Sequence, residues 1–325
     1  MKILVYWPSV PGRVLEFLVK GLLGYGEVVV ARSYEEALEL VVDADVFVGT
    51  ASNDIVSRGF KLRFVQHTFA GVDGLDLGLF RSRGVMLASA RGVNSFYVAE
   101  LALALILALI KRVTFYDRVV KSGFFPRYSW EYSMGTLKGK RVVILGYGGI
   151  GRELARLLKP FNVRIVGVRR SPGVGGDGVA DEIVSWERLE EAVEGADVLV
   201  VAAPLTKETR GLVDERVLRR LRKGAIVVNI SRGHVIDENS LAKLLEEGWI
   251  SGAGLDVWWA YPWEAGGEVY SRTGVHRLEN VVATPHRGGF VEEAFMDIAR
   301  FAVENVGRFS RGLEPFNLVD FDKGY

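Results

Sequence analysis

The chain has 325 residues, 49% of them hydrophobic, which is more than one core usually serves, so two domains are expected. Its 41 Lys and Arg nearly cancel its 40 Asp and Glu, leaving no net field to draw it to nucleic acid or to an acidic membrane. Cysteine is absent, which excludes disulfides, thiolate metal sites and a cysteine nucleophile, and the four scattered histidines form no metal-ligand pattern.

The opening MKILVYW reads as a strand and lacks the basic, apolar and small-residue regions of a secretory signal, so a cytoplasmic location is expected. Apolar runs KILVY (2–6), EVVVA (27–31), DVFVGT (45–50), LRFVQHT (62–68) and VMLAS (85–89) then alternate with helix-like segments. That alternation predicts an open five-stranded parallel α/β layer. Ser33 with Glu36 forms a capping box that predicts a helix through about Val41.

A long helix is expected over 98–120. Its most apolar part, VAELALALILALIK, contains Glu100 and ends at Lys111, short of the roughly 20 residues that span a bilayer. Such a helix is expected to be buried between domains or subunits. After an aromatic loop at 124–133, six runs (RVVIL, VRIVGV, DVLVVAA, AIVVNIS, ISGAGLDV and NVVATPH) predict six strands of a second doubly wound parallel sheet. The last helical segment, 291–306, has no further strand to cross to and is free to return to the first domain.

Between the first of these strands and a helix lies GYGGIG, with Gly146, Gly148 and Gly151 in GxGxxG spacing and Gly149 and Ile150 among them. The first glycine allows a tight turn, the second admits a pyrophosphate to the backbone, and the third lets the helix pack on the strand. A dinucleotide site is expected, its phosphates at a helix N-terminus with Arg152 adding a contact; a glycine-rich turn without ligand is the plain alternative. At the end of the next strand, where an acid would take the ribose hydroxyls of NAD, stand Arg169, Arg170 and Ser171. Guanidinium forks suit a 2′-phosphate, so NADP(H) is favoured over NAD(H).

Five stretches, LKGKRVVILGYGGIG, APLTKETRGL, NISRGHVID, GAGLDVW and TPHRGG, resemble in order and spacing those of the D-isomer-specific 2-hydroxyacid dehydrogenase family, and the resemblance covers nearly the whole chain. It implies a Rossmann cofactor domain (97–288) inserted into a flavodoxin-like substrate domain (1–96 plus 289–325), and a homodimer built through the 98–120 helix. By the same resemblance Arg232 binds a substrate carboxylate and His286 exchanges a proton with the carbonyl oxygen. Asp256 would bond the nicotinamide carboxamide, Pro204 and Thr209 would line the nicotinamide ribose and phosphates, Ala70 and Gly71 would cradle the carboxylate, and Asn94 would face the cleft. His67, His234 and His276 match no catalytic position and are expected to be structural or exposed. The aromatics of 124–133, with Trp258, Trp259 and Trp263, either line a pocket or pack in a core.

In most family members a Glu five residues after this Asp bonds the catalytic histidine; here that place is Tyr261. A neutral phenol orients the ring without favouring imidazolium, so reduction is expected to decline from a lower pH than with Glu. Glu264, three residues on, is the alternative partner. The resemblance implies reduction of a small 2-oxo acid, glyoxylate or hydroxypyruvate. The alternatives are a formate-dehydrogenase-like enzyme, since those relatives carry a neutral glutamine there, and an inactive dinucleotide sensor.

Overall fold

Two parallel sheets organise the chain, one in each of two units: Met1–Asn94 with Phe290–Tyr325, and Ser95–Gly289. The computed structural model describes residues 1–171, 177–261 and 270–324.

In the first unit the strands are β1 (Lys2–Tyr6), β2 (Glu27–Val30), β3 (Val46–Gly49), β4 (Phe64–His67) and β5 (Met86–Ala88), in the order β2-β1-β3-β4-β5. All pair in parallel, and the order is that of flavodoxin-like folds. Alternate side chains serve opposite faces. Leu4, Phe47, Val65 and Leu87 pack under α2 (Tyr34–Leu40), α3 (Asn53–Arg58) and α4 (Leu77–Arg83). Ile3, Val5, Val46 and Val48 pack under α1 (Gly12–Leu22) and the closing helix Glu292–Ser310. Those two helices approach closely at Gly21, where a Cβ would lie 2.7 Å from Val303. The Ser33 hydroxyl accepts from Glu36 N at 3.1 Å and caps α2.

The second unit carries seven strands where six were expected: β6 (Arg141–Leu145), β7 (Arg164–Arg169), β8 (Glu182–Ser185), β9 (Val198–Val201), β10 (Ala225–Asn229), β11 (Ile250–Leu255) and β12 (Val281–Ala283). The overlooked β8 is a four-residue edge strand, EIVS, too short and too polar to stand out as an apolar run. The order β12-β11-β10-β9-β6-β7-β8 reverses between β6 and β9, and ligands of such sheets bind outside the strand ends at that switch.

The single helix expected over 98–120 is two: α5 (Ser95–Ile110) and α6 (Val113–Lys121), with Arg112 between them in the left-handed region at φ 51°. No Gly or Pro marks the break. The Ile110 carbonyl instead accepts from Gly135 N at 2.8 Å, and Lys111 Nζ donates to Gly135 O at 2.8 Å, so the next segment takes the carbonyl that would have continued the helix. One face of α5, through Val98, Ala102, Leu105 and Ile106, packs with α7 (Gly149–Leu158) over the sheet. Among the described residues no helix is long and apolar enough to cross a membrane.

Candidate active site

The glycine turn closes on the switch point. Gly146 has φ +94°, and a Cβ there would lie 2.2 Å from Ala203 N, so the turn runs against the segment leaving β9 and only glycine fits. Gly151 is held as tightly, 2.7 Å from Gly146 O by the same measure, whereas nothing stands within 4 Å at Gly148. Gly148 and the first turn of α7, with Gly149 and Ile150, therefore offer open backbone at a helix N-terminus, and these residues fit a dinucleotide pyrophosphate.

Around this turn the side chains depart from expectation. Arg152, expected on the phosphate, pairs through Nε with Asp177 at 2.8 Å. Asp177 also accepts from the backbone of Val179 and Ala180 at 3.0 and 3.1 Å and from the Tyr147 hydroxyl at 3.2 Å. Burial opposes its ionisation, but those donors and Arg152 outweigh it and hold the carboxyl below its ordinary range. Burial, with the Asp177 charge behind it, pushes the Tyr147 phenol up to about 12. Its ring packs where Gly167 of β7 leaves room, since a Cβ there would meet it at 2.5 Å. An acid thus reaches the turn from the β7–β8 connection, where no strand-end signal pointed to it.

At the end of β7, Arg170 lies 4.9 Å over the Trp186 ring and 3.4 Å from Glu208. Arg169 is half-buried, and its Nε lacks a hydrogen-bond partner. Thr209, expected to face the cofactor, is turned into its own loop: its hydroxyl donates to Pro204 O at 2.6 Å and accepts from Thr206 N at 2.7 Å. It shapes the loop that carries Pro204.

After β10 the chain turns at Asn229, whose side chain bonds Ser231 N at 3.1 Å and Arg232 O at 3.0 Å. Arg232 then stands half-buried, Nη1 on Ser231 O at 2.9 Å. Next to it, a Cβ at Gly233 would lie 2.3 Å from the Trp258 backbone, so the Arg232 loop is pressed onto the DVWW stretch.

That stretch holds the histidine loop. Asp256, 2% exposed, accepts from Thr284 Oγ1 at 2.6 Å, Arg287 N at 2.8 Å and Gly288 N at 2.9 Å. Trp258 Nε1 donates to Thr284 O at 3.0 Å, and the Tyr261 hydroxyl meets His286 Nδ1 at 2.8 Å. Between these anchors His286 adopts φ +59°, a left-handed conformation costing an L-residue about 1–2 kcal/mol, which persists where surrounding bonds impose it. Thr284, Gly288 and Asn229 are thus working parts that residue-type reasoning passed over. Trp258 is buried against Tyr270 and His276, and Trp259 bonds Ile236 O at 2.9 Å, so both belong to the scaffold. Trp263 and Glu264 lie outside the described residues.

In the first unit, Ala70 and Gly71 are half-buried on the loop after β4. Asn94 Oδ1, Thr50 Oγ1 and Thr68 Oγ1 are buried without a hydrogen-bond partner. His67, 5% exposed, accepts from Ala51 N at its Nδ1, 3.1 Å away. Burial lowers its pKa to about 4 against opposing backbone bonds to Gly49 and Gly71, so it is a neutral strut under that loop.

The family model described as "D-isomer specific 2-hydroxyacid dehydrogenase, NAD binding domain" matches residues 103–288. The chain is 35% identical to a glyoxylate reductase of Pyrococcus furiosus over 295 residues, 88% of this chain and 85% of the relative. The chain belongs to the D-isomer-specific 2-hydroxyacid dehydrogenase family. As a member it is an NAD(P)-dependent oxidoreductase of 2-hydroxy acids. A glyoxylate reductase of Korarchaeum cryptofilum is 34% identical over 293 residues, 87% of this chain and 85% of the relative. A solved structure of a Thermus thermophilus protein superposes with TM-score 0.81 at 30% identity, covering 98% of this chain and 100% of that one. D-2-hydroxyisocaproate dehydrogenase shares the fold, with TM-score 0.81 at 19% identity over 98% of this chain and 99% of that one.

Proposed function

We propose that the protein is an NADP(H)-preferring reductase of a small 2-oxo acid, glyoxylate or hydroxypyruvate, yielding the D-hydroxy acid where a stereocentre forms. Arg232 binds the carboxylate through its planar fork; in the first unit, the backbone of Ala70 and Gly71 and the amide of Asn94 offer donors of the kind a carboxylate takes. His286 gives the carbonyl oxygen its proton in reduction and takes it back in oxidation. When bound, the reduced nicotinamide supplies hydride to the carbonyl carbon. Asp256, with three of about four acceptor positions used, keeps one for the carboxamide while it holds the histidine loop. Pro204 lines the nicotinamide side of the site.

The observation that carries this reading is the pinning of His286 by the single stretch 256–261, through Asp256, Trp258 and Tyr261. A scaffold that holds a strained, exposed imidazole so firmly is suited to proton transfer. The glyoxylate reductases among the relatives support the substrate. The cofactor preference rests on Arg169, Arg170 and Ser171 standing where an acid would select NAD. A homodimer through α5 and α6 is part of the proposal, supported by apolar side chains exposed on α6 and the following loop, among them Val113, Val120, Phe125 and Trp130.

A kinetic screen of 2-oxo acids with NADPH and NADH in parallel tests the reading. NADPH is expected to be oxidised with glyoxylate or hydroxypyruvate at higher kcat/KM than NADH. Cofactor reduction by formate with no response to 2-oxo acids, or NADPH binding without turnover of any of them, overturns it.

A further inference from the structure

We infer that Tyr261 is a proton relay: as Nε2 of His286 delivers its proton to the substrate oxygen, the Tyr261 hydroxyl supplies Nδ1. This deepens the reductase reading above and rests on it. Three observations lead there. The phenol oxygen is 2.8 Å from Nδ1, inside the reach needed for proton transfer. The Asp256 carboxylate is committed to Thr284 and to the backbone of Arg287 and Gly288. Tyr261 is half-buried and His286 exposed, so solvent protons reach the pair.

The chemistry differs in kind from that of a carboxylate partner. An ionised carboxylate only accepts; beside it, a neutral imidazole keeps its proton on Nδ1 and has none on Nε2 to give. A phenol both donates and accepts. With Tyr261 donating to Nδ1, the neutral ring carries its proton on Nε2, on the far side of the ring from the phenol, and that is the atom that gives its proton to a carbonyl oxygen. In the step itself the carbonyl carbon gains hydride from the reduced dinucleotide and the carbonyl π pair becomes the bonding pair of a new O–H. Nε2 loses that proton, Nδ1 gains the phenol proton, and the resulting phenolate recovers one from water. The ring ends neutral, as it began. The transfer runs downhill because an alkoxide is a stronger base than a phenolate. Reduction therefore continues above the pH at which imidazolium disappears, to the range where the phenol itself ionises, which reverses the earlier decline expected of a neutral partner that only orients the ring.

Among the described residues, Asp256 and Arg287 are the charged groups joined in the histidine loop, and Arg232 stands on the loop packed against Trp258; the sequence of the stretch after Tyr261, which lies outside the described residues, holds Glu264 and Glu268. A carboxylate from that stretch is the competing partner, so the test includes it.

The test is the pH dependence of kcat/KM for glyoxylate reduction in the wild type, Tyr261→Phe, Tyr261→Glu and Glu264→Gln, with ¹⁵N NMR of His286 in the free enzyme. An imidazole titrates near pH ~6.5 and a phenol near ~10. The wild type is expected to hold its plateau to about pH 9 and Tyr261→Phe to fall tenfold per unit from about 6.5, reaching about one hundredth of its plateau at pH 8.5. Tyr261→Glu should fall between them, and Glu264→Gln should overlay the wild type. The neutral His286 ring should carry its proton on Nε2 in the wild type. Identical alkaline limbs in wild type and Tyr261→Phe, a neutral ring protonated on Nδ1, or a Glu264→Gln profile that copies Tyr261→Phe overturns the relay. Should no form turn over glyoxylate at any pH, the substrate reading fails, and the tautomer decides the relay by itself.

Discussion

Asp256 Oδ2 accepts the backbone N–H of Gly288 at 2.9 Å, so a carboxylate at the end of β11 sets the path of the chain leaving β12. With Arg287 N and the Thr284 hydroxyl on the other oxygen, this one group holds the turn that presents His286.

Asp256→Asn replaces two acceptors by one acceptor and one donor, and the new NH₂ faces a backbone N–H. The variant should lose about 1–3 kcal/mol of stability and ten- to a hundredfold in kcat, with a smaller change in KM, because the imidazole is displaced while Arg232 stays. Urea unfolding and steady-state kinetics check both. Unchanged kcat would mean that the carboxylate does not position the loop.

The three glycines of the turn should separate fold from binding. Gly146→Ala places a methyl 2.2 Å from Ala203 N at φ +94°; the variant should be destabilised by several kcal/mol or fail to fold. Gly148→Ala meets nothing within 4 Å and should keep its stability to within about 1 kcal/mol while NADPH binding weakens at least tenfold, since the methyl occupies the phosphate's approach. Thermal melts and a fluorescence titration with NADPH read the two effects apart.

His67 makes acid stability a property of the first unit. Its folded pKa is lowered to about 4 by burial, against about 6.5 in the unfolded chain. As pH falls through that interval the unfolded chain gains a proton that the folded one refuses, so the contribution is full above about 6.5 and lost by about 4. Its size is about 3 kcal/mol. His67→Asn, which keeps an acceptor for Ala51 N, should show a correspondingly shallower fall in stability between pH 7 and 4 in urea titrations; equal slopes in the two proteins would refute this assignment.

Much of this molecule is legible in the residues alone, and what escapes has physical causes. Strands buried on both faces, such as VVIL at 142–145 and VLVV at 198–201, announce themselves as apolar runs, and Gly146, Gly148 and Gly151 mark their turn by spacing. The strand β8 escapes because an edge needs little apolar surface, and the break at Arg112 escapes because its cause is Gly135, a residue far along the chain that captures the Ile110 carbonyl. Residue types also do not reveal who bonds whom. Arg152 is as suited to a phosphate as to Asp177, and Thr209 as suited to a ribose as to Pro204 O. Tyr261 is the opposite case: its place in the spacing singled it out, and its hydroxyl stands at His286 Nδ1.

The most direct measurement is NADPH oxidation with glyoxylate by the wild type, His286→Ala and Arg232→Ala, each first shown to be folded by its thermal melt. Losing the proton donor should lower kcat by 10²–10⁴-fold, and losing the guanidinium should raise KM and lower kcat/KM at least a hundredfold, as about 3 kcal/mol for a charged bidentate contact implies. Turnover in either variant equal to that of the wild type would contradict the assignment of these two groups to the reaction.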